Sequence, residues 1–269
     1  MEPLAAGDPW QVGAYRLRAR LGSGGMGQVF LGYSPGGPCG RRERPKRPQD
    51  LGVRHLRGHR IGDRGRQRHR LLRRWQHSLR GDELGLDRPH VAGNSLGGRL
   101  ALEAGVRGRA ATVTALSPAG FWRNRGEIAY DRAVFKIMEL AGARTQRFAP
   151  ALVRSTAGRA ILYGAIVSRP SRMTPQQALG DTTAFLAATD ALHVILAEMT
   201  NFTGAMPAGV PVMIAWGTRD RLLFLGQARV AKAHLPEALL VPLPGCGHVP
   251  MTDDPPLVAD VLLRGSGRA

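Results

Sequence analysis

Little in this chain could cross-link it, stack along a nucleic acid or anchor it in a bilayer. The 269 residues hold two cysteines, Cys39 and Cys246, which make neither a Cys-x-x-Cys pair nor a metal-ligand spacing. That excludes a disulfide scaffold and points to a reducing compartment. Both read as small packed or loop residues. Aromatic side chains make up only 6% of the sequence. The run of about 18 apolar residues that a membrane span needs is missing, and Met1 to Arg20 lack the apolar core of a secretion signal. The expectation is a cytoplasmic protein with no membrane partner, no metal and no other cofactor.

Acidic residues are also scarce: 20 Asp and Glu face 38 Lys and Arg, for a net charge of +18. The excess is local. Residues 41–80 carry fourteen arginines and Lys46 against Glu43, Asp50 and Asp63, a net of +12 that leaves +6 for the rest of the chain. Residues 38 to about 80 as a whole are rich in Arg, Gly and His and show no sustained apolar period. One reading is a solvated, disordered linker, because so few apolar groups cannot offset the entropy of ordering. A second is a nucleic-acid-binding arm that releases counterions, but Trp75 is the block's single aromatic and offers no series of stacking platforms. A third is an Arg-Gly-Pro junction between two unrelated coding segments.

Residues 10–32 read as two short strands around a glycine turn. Gly22, Gly24 and Gly27 followed by Val29 form a loop whose backbone amides can approach phosphate oxygens closely. With Leu21, Met26 and Phe30 around it, this stretch resembles the nucleotide-covering loop of bacterial serine/threonine protein kinases. The resemblance ends there. Lys46 lies between Pro45 and Arg47 rather than on a strand, and no His-Arg-Asp or Asp-Phe-Gly segment follows, so phosphoryl transfer is not expected.

Regular periodicity begins near Asp82. Arg88 to Gly93 reads as a buried strand, Arg99 to Ala104 as a helix, Ala111 to Leu116 and Val212 to Trp216 as further strands. Gln227 to His234 suits a helix, Ala238 to Leu243 a strand, and Asp254-Pro255 the capped start of a last helix. Strands alternating with helices argue for a mainly parallel sheet. Between about residues 122 and 207 the pattern is helical only. Tyr130, Val134, Ile137, Met138 and Ala141 share one helical period, and a run from Thr174-Pro175 continues through Phe185, Ala188, Leu192, Ile195 and Met199. This insertion reads as a cap over the sheet or a helical pair on its flank, and His193 within it as a packed or surface histidine.

Three distant segments carry chemistry. Gly93-Asn94-Ser95-Leu96-Gly97 places a serine between a strand and a helix, Trp216-Gly217-Thr218-Arg219-Asp220 ends a strand in an acid, and Gly245-Cys246-Gly247-His248 puts a histidine in a glycine-flanked loop. A serine is a weak nucleophile until an imidazole accepts its proton, and the imidazole needs an acid to fix its tautomer. Asp253 and Asp254 rival Asp220 as that acid but suit capping of the last helix better.

In this order and context, residues 82–269 resemble the α/β-hydrolase superfamily. The resemblance implies Ser95 as nucleophile, Asp220 as orienting acid, His248 as general base and the Leu96 amide as an oxyanion donor. It also implies that the segment through Phe121 and Trp122 opens into the cap and lines the substrate pocket, with Asn94 and Trp216 either at the pocket or in structural support. A complete member carries further strands and a second oxyanion loop before its nucleophile strand, which residues 1–81 do not resemble. The expected fold class is therefore α/β, a truncated α/β-hydrolase with a mainly parallel sheet, a helical cap and an irregular or disordered N-terminal third. Its expected organisation is a kinase-like fragment over residues 1–32, an Arg-rich linker over 33–81 and the hydrolase-like domain over 82–269. The function read from these residues is a serine hydrolase acting on a small ester or related carbonyl compound through an acyl-enzyme. The alternative is a catalytically impaired chimeric product that binds anions through its arginines.

Overall fold

A computed structural model describes residues 87–267, together with the backbone of three strands nearer the N-terminus. Those strands, β1 (Gln11–Val12), β2 (Tyr15–Gly24) and β3 (Gly27–Tyr33), form an antiparallel sheet in the order β1-β2-β3. The Gly24↔Gly27 pair closes the β2–β3 ladder, so the glycine segment is the hairpin that its composition suggests. Cys39 and, past Tyr33, the linker expected over residues 33–81 lie outside the described residues.

The second sheet is wholly parallel and runs β4 (His90–Asn94), β5 (Thr112–Leu116), β6 (Val212–Gly217), β7 (Leu239–Leu243), in spatial as in chain order. Parallel neighbours require crossovers. Helix α1 (Leu96–Val106) joins β4 to β5, and α7 (Gly226–His234) joins β6 to β7. Five helices, α2 (Arg125–Thr145), α3 (Ala149–Leu152), α4 (Thr156–Tyr163), α5 (Pro175–Ala187) and α6 (Thr189–Glu198), fill the long connection from β5 to β6. After β7 come α8 (Pro250–Asp253) and α9 (Pro255–Gly265).

Period-two alternation divides the strand side chains between two cores. Val113, Ala115, Ile214 and Trp216 pack with Ala101, Leu102, Ala228 and Ala231 of α1 and α7, and that cluster continues into the cap. Leu116, Met213 and Ala215 face the other way, onto Val258 and Val261 of α9. Burial on both faces explains the unbroken apolar run of β6. Strand β4 differs from its sequence reading: it is only half buried, with His90 and Ala92 exposed, because among the described residues it pairs with β5 alone.

The run expected from Thr174 to Met199 is two helices. Thr174 caps the first through Gln177 N. The chain breaks at Ala188, whose amide reaches both Ala184 O and Phe185 O, while Thr189 Oγ1 donates to Leu186 O. A threonine hydroxyl that bonds the preceding turn competes with helix continuation there.

The strand-to-helix turn at Ser95 depends on a close backbone approach. A Cβ at Gly93 would sit 2.2 Å from Gly97 O, whereas one at Gly97 would meet nothing within 4 Å. Gly93→Ala should therefore cost about 3 kcal/mol or more, and Gly97→Ala should stay within about 1 kcal/mol of the parent. Urea unfolding of both variants checks the contrast.

Candidate active site

The carboxyl ends of β4, β6 and β7 deliver the three chemical segments to one place. Ser95 follows β4 with φ of 56°, a left-handed conformation costly for a non-glycine residue. Its amide donates to Leu116 O and its carbonyl accepts from Arg99 N and Ala119 N, so the strain is held from both sides. Leu96 is the first residue of α1, and the first-turn amides of a helix have no intrahelical acceptor. The positive end of α1 is therefore turned toward the serine.

Asp220 sits in the turn after β6, its amide donating to Gly217 O. Its Oδ1 accepts from Leu222 N and Leu223 N at 2.9 Å each, and its Oδ2 lies 2.9 Å from His248 Nδ1. Both side chains are almost fully buried. A carboxylate that already accepts two amides takes the Nδ1 proton of histidine as a third, which leaves Nε2 as the bare acceptor nitrogen. Nε2 is buried and has no hydrogen-bond partner among the described residues, so the bond to Ser95 Oγ is not made. Such contacts commonly tighten only once substrate is bound.

The acid and imidazole loops are laced together. Arg219 N donates to Cys246 O, Thr218 N to Leu243 O, and Gly245 N to Thr218 Oγ1. A Cβ at Gly217 would lie 2.3 Å from Gly247 O, so this approach requires glycine. Asn94 adds a third tie, donating through Nδ2 to Leu116 O at 3.0 Å and to His248 O at 2.9 Å.

Asp253 is a correction. It does not cap the last helix; Asp254 does, through Leu257 N. Asp253 is buried, and its carboxylate accepts from Ser168 N, Arg169 N and Gly247 N. It thereby joins the cap segment to the imidazole loop. The sequence signal, an acid five residues after His248, was present but gave no partner.

A narrow apolar cavity opens beside Ser95 and Leu96, lined also by Trp122 and Asp131, by Leu192 and Leu196 of α6, and by Met199 just past it. Of Phe121 and Trp122, expected at the pocket, only Trp122 lines it, and Asn94, open to either role, does not. Phe121 is buried instead against Phe202, with ring centroids 5.6 Å apart, and the Asn94 amide is spent on the two carbonyls. Trp216 is fully buried, and its Nε1 donates to Leu223 O. His193 pairs with Glu139 on the exposed cap surface. Cys246 is a buried free thiol, pushed up to about 11 chiefly by burial, and so unreactive.

Sequence reasoning missed Asp131. It lies on α2 and is 2% exposed, while Ile137, assigned to the buried stripe, is 66% exposed. Asp131 Oδ2 accepts from Trp122 Nε1 at 2.5 Å, and Oδ1 has no partner among the described residues. Burial is the largest influence on this carboxyl and pushes it up to about 7, against the bond from Trp122.

A model of the alpha/beta hydrolase family matches residues 50–261 of this chain. The chain belongs to that family, and with it to an enzyme class that hydrolyses small molecules. Epoxide hydrolase EphH of Mycobacterium tuberculosis strain H37Rv is 29% identical over 192 residues, covering 67% of this chain and 87% of that one. A different relative matches the N-terminus: the probable serine/threonine-protein kinase PkwA of Thermomonospora curvata is 68% identical over 37 residues, which are 14% of this chain but 5% of the kinase. Among solved structures, a membrane phospholipase A described as a bacterial virulence factor superposes with a TM-score of 0.55 at 21% identity, over 74% of this chain and 64% of that one. The 2-hydroxy-6-oxo-6-phenylhexa-2,4-dienoate hydrolase of Rhodococcus sp. strain RHA1 gives 0.52 at 17% identity, over 74% and 72%. These two establish the fold. No helix among the described residues is long and apolar enough to cross a membrane.

Two predictions test the site's construction. Asp253→Ala strips three backbone amides of their acceptor and should cost about 3 kcal/mol or more, against about 1 kcal/mol for the helix cap lost in Asp254→Ala, both read by urea unfolding. The folded protein also keeps a proton on Asp131 that the unfolded chain releases near 3.8. Stability from this group is therefore full below that range, falls as pH climbs from about 4 to about 7, and is flat above, by a total on the order of 4 kcal/mol. Asp131→Asn, a neutral isostere, should escape that loss, so its stability advantage over the parent widens across the same window.

Proposed function

We propose that this chain is a serine hydrolase that cleaves small, largely apolar esters or related carbonyl compounds through an acyl-enzyme on Ser95. In this reading Ser95 Oγ attacks the carbonyl carbon as its proton passes to His248 Nε2, and the Asp220 carboxylate stabilises the imidazolium that results. The Leu96 amide donates to the oxyanion. The imidazolium then gives its proton to the leaving oxygen. Water, deprotonated by the same nitrogen, releases the acid and restores the serine.

The observation that carries the reading is the buried Asp220–His248 bond, which leaves Nε2 a bare acceptor on a loop that Asn94 ties to the strained turn of Ser95. An apolar cavity bordered by Ser95 and Leu96 supports a small apolar substrate. Epoxide opening, the activity in the name of the mycobacterial relative, suits this serine poorly. Hydroxyl attack on an epoxide carbon leaves an ether, which offers no carbonyl for water to attack, whereas an acyl ester does.

Turnover of p-nitrophenyl butyrate by the purified full chain should fall about 10³-fold or more in Ser95→Ala. A fluorophosphonate should add covalently to Ser95, located by peptide mass. Equal turnover by the parent and Ser95→Ala would sink the nucleophile assignment.

A further inference from the structure

The cap contributes one polar group to an otherwise apolar wall. Asp131 and Glu127 are four residues apart on α2, on one buried stripe with Phe135. Their surroundings differ. Glu127 is fully used: Oε1 takes the Arg123 guanidinium, and Oε2 accepts from Arg123 N and Gln227 Nε2. Asp131 borders the cavity next to Ser95, has one oxygen held by Trp122, and keeps the other buried with no partner among the described residues. A buried carboxyl oxygen with no partner is costly and gains nothing for folding. Such a group belongs where a ligand completes it.

We propose that Asp131 is a substrate-contacting residue, whose free Oδ1 donates a hydrogen bond to a second oxygen of the substrate, beyond the scissile carbonyl. The indole N–H of Trp122 occupies Oδ2, so the proton of the neutral acid resides on Oδ1 and makes it a donor. The preferred substrates are then esters whose acyl chain carries a carbonyl or comparable acceptor, rather than plain alkyl esters. Discrimination of this kind is strong because a site built around a buried polar group rejects the analogue that leaves it unpaired.

The protonation state sets the preference. The titratable groups that bear on Asp131 are His248 and Asp220 from the loops after β7 and β6, and Glu127 on its own helix. The facing residues of α6 are apolar. Once deprotonated, Asp131 repels an acceptor oxygen. The preference for keto over plain esters is therefore expected below about pH 7 and lost above it.

The proposal depends on the serine-hydrolase reading for turnover but not for binding, so the test has two arms. In the first, kcat/KM of the full chain is measured for p-nitrophenyl hexanoate and for its 4-oxo and 5-oxo analogues from about pH 5.5 to about pH 8.5. Taking the keto-to-plain ratio cancels the titration of the shared triad. The better keto ester should be favoured about tenfold at low pH, with the ratio falling toward one at high pH. Asp131→Asn, which keeps a donor and cannot ionise, should hold the ratio high at every pH, and Asp131→Leu should hold it near one. In the second arm, the same esters are titrated into Ser95→Ala and followed by tryptophan fluorescence, and the affinity ratios should repeat the pattern. A ratio that does not change with pH in the parent, or a keto preference that survives in Asp131→Leu, overturns the proposal. If the parent and Ser95→Ala turn over equally, the hydrolase reading fails, and the binding arm alone decides the role of Asp131.

Discussion

Where the loops after β6 and β7 meet, two stretches of backbone come so close at Gly217 and Gly247 that there is no room for a methyl group. That contact lets the loop after β6 and the loop after β7 share hydrogen bonds, and the sharing fixes where Asp220 and His248 meet. A parallel sheet supplies the precondition, since it brings the carboxyl ends of successive strands to one rim. Asn94 extends the lacing to the serine turn by donating to the carbonyl of His248 itself. The three chemical side chains thus rest on a common web of main-chain bonds, which keeps their geometry insensitive to side-chain motion elsewhere.

Much of this was legible in the sequence, for definite reasons. Continuous apolar runs such as Val212 to Trp216 announce strands covered on both faces, and a serine between two glycines announces a tight turn. The order of Ser95, Asp220 and His248 leads to the family before any coordinate is seen. What could not be read depends on tertiary neighbours. Glu127 and Asp131, spaced i and i+4 on a helix, look like a solvated face, and only the packing of α2 against the rim turns them inward while Ile137 turns out. Asn94 looks like a pocket residue for the same reason, because its two carbonyl partners lie 22 and 154 positions away in the chain.

The cap departs from the simplest amphipathic helix in an instructive way. Its buried acids are not equivalent: Glu127 is neutralised by Arg123 and held by Gln227, while Asp131 keeps a proton because burial outweighs the single bond from Trp122. One helix therefore carries an ion-paired, structural carboxylate and, a single turn away, a buried acid with one oxygen left without a partner among the described residues. Environment alone separates them, as it separates the members of many acid pairs.

Asp253 has a bearing on how anything reaches the serine. By gripping the amides of Ser168, Arg169 and Gly247 together, it rivets one margin of the cap to the loop that carries the imidazole. Swinging that margin outward would drag His248 out of place, so the cap cannot hinge there and stay poised for chemistry. On the α6 side the cap has no fully buried residue, and Leu192, Leu196 and Met199 line the cavity there, so that side is held by less burial than the margin Asp253 fastens.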